Sequence, residues 1–318
     1  MDMTINFLVA AALAGTPLLF GTLGEILNER SGHLNLGVEG MMALGACGGF
    51  MAGYFTDSLV LALVFAFLAG LGGALIYAIL TVTFLANQNV TGLTLSIFGV
   101  GLANFFGEYM LNFSETNTLK LPDRILGQMT AVNIPVLSDL PILGPLLFRF
   151  NPFVYLGIFI AILCALYLNR TKIGLNLKAV GENPAAADAV GIKVTKMKYV
   201  NILIGGGICG IGGAYTSMII NGGVWMSNSV NGMGWIAVAL VIFASWSPMR
   251  AIFGSFIFGA FNVLKYYMPR TWITLPNAFY DMLPFIITAL VLIMTSIRKS
   301  KENAQPASCG VNYFREER

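Results

Sequence analysis

The sequence has little charge and few of the groups that enzymes use for chemistry. Of its 318 residues only 10% are charged, and it has one histidine, whereas soluble domains carry about 25% charged residues. No HExxH motif, paired cysteine ligands or phosphate-binding glycine loop accompanies His33, so neither a metal site nor a nucleotide site is expected. The four cysteines show no spacing typical of a disulfide framework. A soluble enzyme is therefore disfavoured, and no catalytic residue, metal ligand or bound cofactor is assigned to the chain.

Apolar residues are abundant instead. They make up 57% of the chain, the mean hydropathy is +0.77, and a helix needs about 20 apolar residues to cross a bilayer. The pattern predicts an all-α, polytopic transmembrane bundle of about nine spans, with eight to ten as the range. The 58–86 run is long enough to be divided, and the 233–247 run is short for a full crossing. The predicted spans are 5–27, 36–55, 58–86, 91–112, 151–169, 199–220, 233–247, 251–268 and 279–297.

The basic residues predict the orientation, because loops rich in Lys and Arg stay in the cytoplasm. The most basic loop is 170–198, and placing it inside also brings the 298–318 tail inside and the N-terminus outside. Residues 113–150 contain four prolines and are predicted to form an external loop. The predicted organisation is thus a membrane domain over 1–297 and a cytoplasmic tail over 298–318.

Glycine is plentiful, with 36 residues. Pairs spaced by four, such as Gly49/Gly53 and Gly206/Gly210, allow helix backbones to approach closely in lipid. We therefore expect a tightly packed bundle.

The basic loop 170–198 contains a complete signal for a short helix. Asn183 is a good N-cap, Pro184 suits the first helical position, and Gly191 suits a left-handed stop. Such a helix could be a compact knob that docks into a partner, or it could merely shorten the connection between two spans.

Polar side chains within the apolar runs are costly in lipid, so they indicate a transport path or a helix contact. Some could instead be helix ends at the headgroup level. A break in the helix at 89–92 would also suit a transport path. The loop between the sixth and seventh runs adds Asn221, Ser227, Asn228, Ser229 and Asn231. The candidate substrate-pathway residues are Asn35, Glu39, Asn87, Gln88, Asn89, Thr91, Ser96, Asn104, Trp225 and Trp235.

Four blocks spread over the chain resemble the importer-type ABC permeases of the branched-chain amino acid and simple-sugar family. They are GEILNERSGHLNLGVEGMMALG at 24–45, GLNLKAVGENPAAADAVGI at 174–192, NGMGWIAVALVIFASWSP at 231–248 and ASCGVNYFREER at 307–318. The third block has Ala244 where the family usually has Gly. The last block is similar to the ending of the nucleoside-uptake branch.

This resemblance implies a permease subunit in the cytoplasmic membrane of a prokaryote, in contact with lipid and not with a nucleic acid polymer. It implies an ATP-binding subunit that uses ATP and Mg, a second, nonidentical permease subunit and an extracytoplasmic substrate-binding protein. The substrate implied is a nucleoside, with a simple sugar such as ribose or galactose as the alternative. The residues implied in coupling to the ATPase are Gly174, Gly181, Glu182, Asn183, Pro184, Ala185, Ala186 and Asp188.

Two other classes of function remain open from the residues alone. A passive channel or facilitator would move its solute without ATP. An intramembrane enzyme would need turnover that depends on His33, Ser31 or a membrane carboxylate, and the missing motifs argue against it.

Overall fold

A computed structural model of the chain describes residues 3–113, 118–132, 143–267, 276–298 and 304–314, and these residues form a helical bundle. α3 and α10 continue into π-helical turns at Ile79–Thr83 and Thr216–Ile220. The helices are α1 Met3–Arg30, α2 Val38–Thr56, α3 Leu59–Ala78, α4 Gln88–Leu111, α5 Asp123–Gln128, α6 Leu143–Leu147, α7 Pro152–Arg170, α8 Lys172–Glu182, α9 Pro184–Ala189, α10 Val194–Tyr215, α11 Met233–Phe243, α12 Pro248–Tyr267 and α13 Asn277–Arg298.

Each predicted apolar run coincides with one helix of the bundle. Within the described ranges, five helices are long and apolar enough to cross a membrane: α1, α3, α4, α7 and α10. The 58–86 run forms a single continuous helix and its π-helical turn rather than two spans. α11 has only 11 residues, which is short for a crossing. The count of nine spans and the orientation stay predictions.

α10 lies at the centre of the bundle, with 83% of its apolar window buried. It packs against α1, α2 and α3, and glycines make these contacts possible. A Cβ at Gly206 or Gly210 would collide with α3, at Ala74 and the Ala66 carbonyl respectively. The predicted close packing through Gly206 and Gly210 is therefore confirmed.

The connector at 31–37 is irregular backbone buried inside the bundle. It runs beside α4, where the Ser96 hydroxyl donates to the Leu36 carbonyl at 2.7 Å. Gly37 lies against Leu95, and a Cβ at Gly99 would lie 2.5 Å from the Gly40 carbonyl oxygen. α2 therefore begins beside residues 92–96 of α4, within its first half. Irregular backbone that is buried needs partners for its polar groups, and the surrounding helices supply them here.

The predicted helix break at 89–92 is wrong. α4 runs unbroken from Gln88 to Leu111, because the Asn87 side chain caps its first turn by accepting from the Val90 amide at 3.0 Å. The polar residues at 87–89 thus reflect a helix start rather than an interruption. The irregular, buried backbone lies in the connector at 31–37 instead.

The predicted external loop 113–150 is described only in part, and it contains the short helices α5 and α6. Residues 119–121 pair with 223–225 as a short antiparallel bridge: the Leu121 amide donates to the Gly223 carbonyl at 2.8 Å, and the Trp225 amide donates to the Leu119 carbonyl at 2.9 Å. The loop after α10 is thereby held against the loop after α4.

The outer faces of α3, α4, α7 and α12 carry large exposed apolar side chains, such as Val60, Ile97, Phe159 and Phe253. In water such a surface would be unusual. It fits helices whose outer faces contact lipid or another membrane subunit.

Candidate functional site

A cavity of about 230 Å³ lies between α2, the middle of α4 and the loop that precedes α11. Two helices begin at its edge, α2 at Val38 and α11 at Met233. Its lining residues are Glu39, Ala43, Val100, Ala103, Asn104, Asn228, Ser229, Val230, Asn231 and Gly232.

Glu39 joins α2 to the first turn of α11. One carboxylate oxygen accepts from the Gly232 amide and the other from the Gly234 amide, both at 2.7 Å. A negative charge is favoured at a helix N-terminus, where the amides have no partner within the helix. A side chain at Gly234 would collide with the Glu39 backbone. Glu39 therefore fixes how the two helix starts meet beside the cavity.

Asn104 fixes the loop on the opposite wall. Its Nδ2 donates to Oδ1 of Asn228, and its Oδ1 accepts from the Asn228 amide, both at 2.9 Å. The loop backbone is left-handed at Asn228, Asn231 and Gly232, with φ of 57°, 48° and 84°. Asn tolerates this conformation better than most residues. The paired hydrogen bonds hold the loop in a shape that it would not adopt alone.

Several neutral polar groups on the cavity wall have no hydrogen-bond partner within the described part of the chain. They are the amide nitrogen Nδ2 of Asn228, the Ser229 hydroxyl and the Asn231 amide. The rest of the wall is apolar, from Ala43, Val100, Ala103 and Val230, and the lining includes no Lys, Arg or His. The cavity offers hydrogen bonds and apolar contact to an uncharged solute.

Of the predicted pathway residues, Glu39 and Asn104 line this cavity, and three of the five polar loop residues join them. Asn35 and Ser96 lie elsewhere and hold the connector at 31–37. Asn35 Oδ1 accepts from the Gly37 backbone amide at 2.8 Å, and the Asn35 backbone amide donates to Oε1 of Glu25 at 2.9 Å. Sequence reasoning had no signal for Ala43, Val100, Ala103 and Val230, because they are ordinary apolar helix or loop residues.

The other predicted pathway residues also lie away from this cavity. Thr91 lines a second, mostly apolar cavity of about 320 Å³ between α3 and α4, and Asn89 is exposed at the start of α4. The indole of Trp225 packs on Phe50, with ring centroids 5.4 Å apart. Trp235 is half-buried in the first turn of α11. A pathway role for these residues stays a prediction.

The predicted short helix of the basic loop is present as α9. The Asn183 side chain accepts from the Ala186 amide at 2.9 Å, Pro184 is the first helical residue, and Gly191 has a φ of 88°. The helix prediction is confirmed. Ala185 and Ala186 are exposed, whereas Ala187 is buried, so α9 has one exposed face and packs on the bundle with the other.

Two glycines of α8 allow this helix to pack closely on α7 and on the end of α1, and α9 follows directly after it. A side chain at Gly174 would collide with the Tyr167 carbonyl of α7, and one at Gly181 would collide with the Arg30 carbonyl at the end of α1. Glu182 accepts from the Ala307 amide at 3.3 Å, and Asp188 accepts from the Tyr313 hydroxyl at 2.9 Å. We call this end of the bundle, where α8 and α9 lie, the coupling end.

Buried polar groups concentrate at the coupling end. Burial holds the pKa of His33 well below its ordinary value, and the nearby Lys198 ammonium acts in the same direction. Partial burial also lowers the pKa of Lys178, with the Arg30 charge contributing. Lys178 donates to the Asn169 side chain at 2.8 Å. His33 is therefore neutral at pH 7 in the folded protein.

A bundle with an apolar outer surface, a polar cavity without free charge and a short exposed helix at one end is typical of a membrane transport subunit. The comparison with protein families agrees. The model described as "Branched-chain amino acid transport system / permease component" matches residues 7–292. The chain belongs to this family.

Three relatives cover most of the chain. It is 37% identical to "Putative glucose ABC transporter permease protein TsgC13" of Haloferax volcanii, over 83% of this chain and 78% of that one. It is 32% identical to "Nucleoside ABC transporter permease protein NupC" of Lactococcus lactis subsp. cremoris, over 98% of both. It is 31% identical to "Guanosine ABC transporter permease protein NupQ" of Bacillus subtilis, over 91% of both.

The chain is therefore a membrane permease subunit of an ABC importer, and it passes several times through the cell membrane of a prokaryote. Membership of this class implies that it works with an ATP-binding subunit and a substrate-binding protein. The relatives are themselves permease subunits.

Proposed function

We propose that the chain takes up nucleosides and that the cavity beside Glu39 and Asn104 is part of their path. One observation carries the proposal: the free polar groups of the cavity wall are all neutral, and its single carboxylate is occupied by two backbone amides. A nucleoside is uncharged and needs hydrogen bonds for its hydroxyls and base edge together with apolar contact for its ring. Two of the relatives are named for nucleoside or guanosine transport.

A simple sugar is the second candidate. The relative with 37% identity is named for glucose, and a sugar would use the same neutral hydrogen-bonding groups. A sugar has less apolar surface than a nucleobase. The apolar wall from Ala43, Val100, Ala103 and Val230 therefore favours the nucleoside.

The assembly that we propose contains this permease, a second, nonidentical permease and ATP-binding subunits that use ATP and Mg. In this arrangement the coupling end faces the cytoplasm, the N-terminus is outside, and the chain crosses the membrane about nine times. The exposed residues Ala185 and Ala186 of α9, together with Glu182, Asn183 and Pro184 before them, would dock on the ATPase. Asp188 would contribute through its bond to Tyr313. No hydrolysis is assigned to the permease itself.

Uptake by the assembled complex in proteoliposomes tests the function. We expect labelled uridine, inosine or guanosine to accumulate only with ATP inside, and unlabelled nucleosides to compete better than glucose, ribose or galactose. Better competition by a sugar would replace the nucleoside with that sugar. Uptake without ATP and without the ATPase would indicate a passive facilitator instead.

The cavity is tested with a pair of serines in the same loop. Ser229→Ala removes a hydroxyl from the cavity wall, whereas Ser227→Ala removes an exposed one outside it. We expect Ser229→Ala to raise the nucleoside concentration for half-maximal uptake about five-fold, the worth of one hydrogen bond. Ser227→Ala should leave it unchanged. Equal effects of the two substitutions would place the path elsewhere.

A further inference from the structure

Residues 304–314, which we call the strap, lie across the coupling end and contact three separate elements. A turn at 307–310 folds the segment back, with the Cys309 amide donating to the Pro306 carbonyl at 3.0 Å. Gly310 has a φ of 83°, which favours glycine at this position. The strap therefore has a defined backbone conformation that includes a turn.

The first contact is with α9. The Tyr313 hydroxyl donates to Asp188 at 2.9 Å. The Tyr313 ring also packs on a small apolar cluster of Val180, Ala187 and Val194, which come from α8, α9 and α10. This cluster is separate from the main core, so Tyr313 is one of the few side chains that hold α9 in place.

The second contact is with α4. Nδ2 of Asn312 donates to the Leu85 carbonyl at 2.5 Å, and its Oδ1 accepts from Gln88 at 3.2 Å. Oε1 of Gln88 in turn accepts from the Leu34 amide at 2.9 Å. Asn312 therefore touches the start of the cavity helix α4 and, through Gln88, the connector that precedes α2.

The third contact is with the ends of α1 and α8. The Ser308 amide donates to the Gly181 carbonyl at 3.0 Å, and the Ala307 amide donates to Glu182 at 3.3 Å. Gln305 donates to Glu29 of α1 at 3.4 Å. These bonds anchor the strap at its other end, so Asn312 and Tyr313 are presented from a fixed base.

We propose that the strap links α9 to the cavity: Tyr313 holds α9, the adjacent Asn312 holds the start of α4, and movement of α9 reaches the cavity helices through this pair. The proposal rests on the proposed role of α9 in docking the ATPase. Tyr313 and Asn312 are adjacent in the chain, so a displacement of one is passed directly to the other. The two side chains are positioning residues, since neither touches the solute cavity.

The test is the number of solute molecules imported per ATP hydrolysed by the purified complex in proteoliposomes. Tyr313→Phe keeps the ring and removes the hydroxyl, and Asn312→Ala removes both amide contacts. We expect each to lower the ratio about five-fold, equivalent to about 1 kcal/mol, while the ATPase rate is retained. Val311→Ala, on the exposed side chain that directly precedes Asn312, should leave the ratio unchanged.

A merely structural role would give a different pattern. If Tyr313→Phe and Asn312→Ala leave the ratio at the wild-type value, the proposal is overturned. It is also overturned if Tyr313→Phe prevents copurification of the ATPase subunit, because the strap would then serve assembly. Adding Asp188→Ala to Tyr313→Phe should lower the ratio by much less than the two single effects combined, and full additivity would contradict the link.

The ratio is measured with whichever solute the wild-type complex imports. If the wild-type complex uses ATP to import a sugar and does not import nucleosides, the proposed substrate is wrong. The strap can still be tested in that case, with the sugar as the solute. A complex that imports nucleosides, with strap variants that keep the wild-type ratio, refutes the strap alone.

Discussion

At the scale of single residues, glycines decide how closely the helices approach. The spacing of Gly206 and Gly210 correctly predicted a tight contact, and both lie against α3 near Gly70. Gly72, two residues after Gly70 in α3, faces open space. Spacing alone could not distinguish these cases, because which face of a helix meets a neighbour depends on how the whole bundle packs.

The crossing of α2 and α4 beside the cavity provides a matched test of close packing. A Cβ at Gly99 would lie 2.5 Å from the Gly40 carbonyl oxygen, whereas one at Gly101 would meet nothing within 4 Å. We expect Gly99→Ala to destabilise the purified permease by about 1–3 kcal/mol through overpacking. Gly101→Ala should be neutral or slightly stabilising, because alanine favours helix. Thermal unfolding in detergent measures both, and equal midpoints would contradict the packing.

The buried His33 predicts a pH dependence of stability. Its side chain is 1% exposed, and burial places its folded pKa below the unfolded one. The folded state then binds fewer protons than the unfolded state as pH falls below about 6.5, so stability is lost on acidification. The loss should not exceed about 1.4 kcal/mol per pH unit.

The matched variant for this prediction is His33→Gln, which keeps a polar side chain without the titration. Thermal unfolding between pH 7 and pH 5.5 should show a steeper loss for the wild type than for the variant. The other ionisable groups of this region are present in both proteins, so the comparison isolates His33; they are Glu25, Glu29, Tyr77, Lys198 and Cys309. Identical slopes would show that His33 does not contribute.

At the scale of elements, the sequence predicts where a helix begins and ends better than it predicts which other elements the helix contacts. The Asn183, Pro184 and Gly191 signal located α9, because a cap and a stop are local chemistry. The polar residues at 87–92 suggest a broken helix, but they are the capped start of α4. A polar cluster between apolar runs has the same sequence pattern whether it breaks a helix or begins one. That Gln88 bonds to both Leu34 and Asn312 depends on residues far apart in the chain, so no local pattern could show it.

Disrupting α9 should uncouple transport without preventing insertion into the membrane. Ala187→Pro would remove the bond from the residue 187 amide to the Asn183 carbonyl, which is 3.0 Å long, and a proline within a helix costs about 3 kcal/mol. We expect ATP-driven uptake to be abolished, as also for Glu182→Lys at the exposed end of α8. Ala189→Ser, exposed at the end of α9 and outside the proposed docking residues, should retain most uptake. Normal uptake by Ala187→Pro, at equal membrane levels, would refute the coupling role.

At the scale of the whole molecule, composition was enough for the class and the resemblance was enough for the family, which the comparisons confirm. The cavity was only partly foreseeable. Glu39 and Asn104 are far apart in sequence and meet through the loop at 228–232. This meeting depends on α2 and α11 both beginning inside the bundle, which hydropathy does not encode.

The orientation can be tested by labelling single cysteines in intact cells. Ala185→Cys, on the exposed face of α9, should react only after the membrane is permeabilised, in permease expressed without the ATPase subunit. Thr130→Cys, exposed in the loop after α5, should react from outside with an impermeant reagent. The native cysteines are buried or half-buried, and the unsubstituted protein gives their background. Labelling of Ala185→Cys in intact cells would reverse the topology.

The position of the strap in the chain has a consequence for biosynthesis. Residues 304–314 are translated after all the helices described above, yet Tyr313 and Asn312 complete the seat of α9. On the proposed role of the strap, the helices of a nascent chain can insert before the segment that holds α9 has been made. A chain that ends before the strap would then be embedded in lipid but would couple ATP hydrolysis to transport poorly.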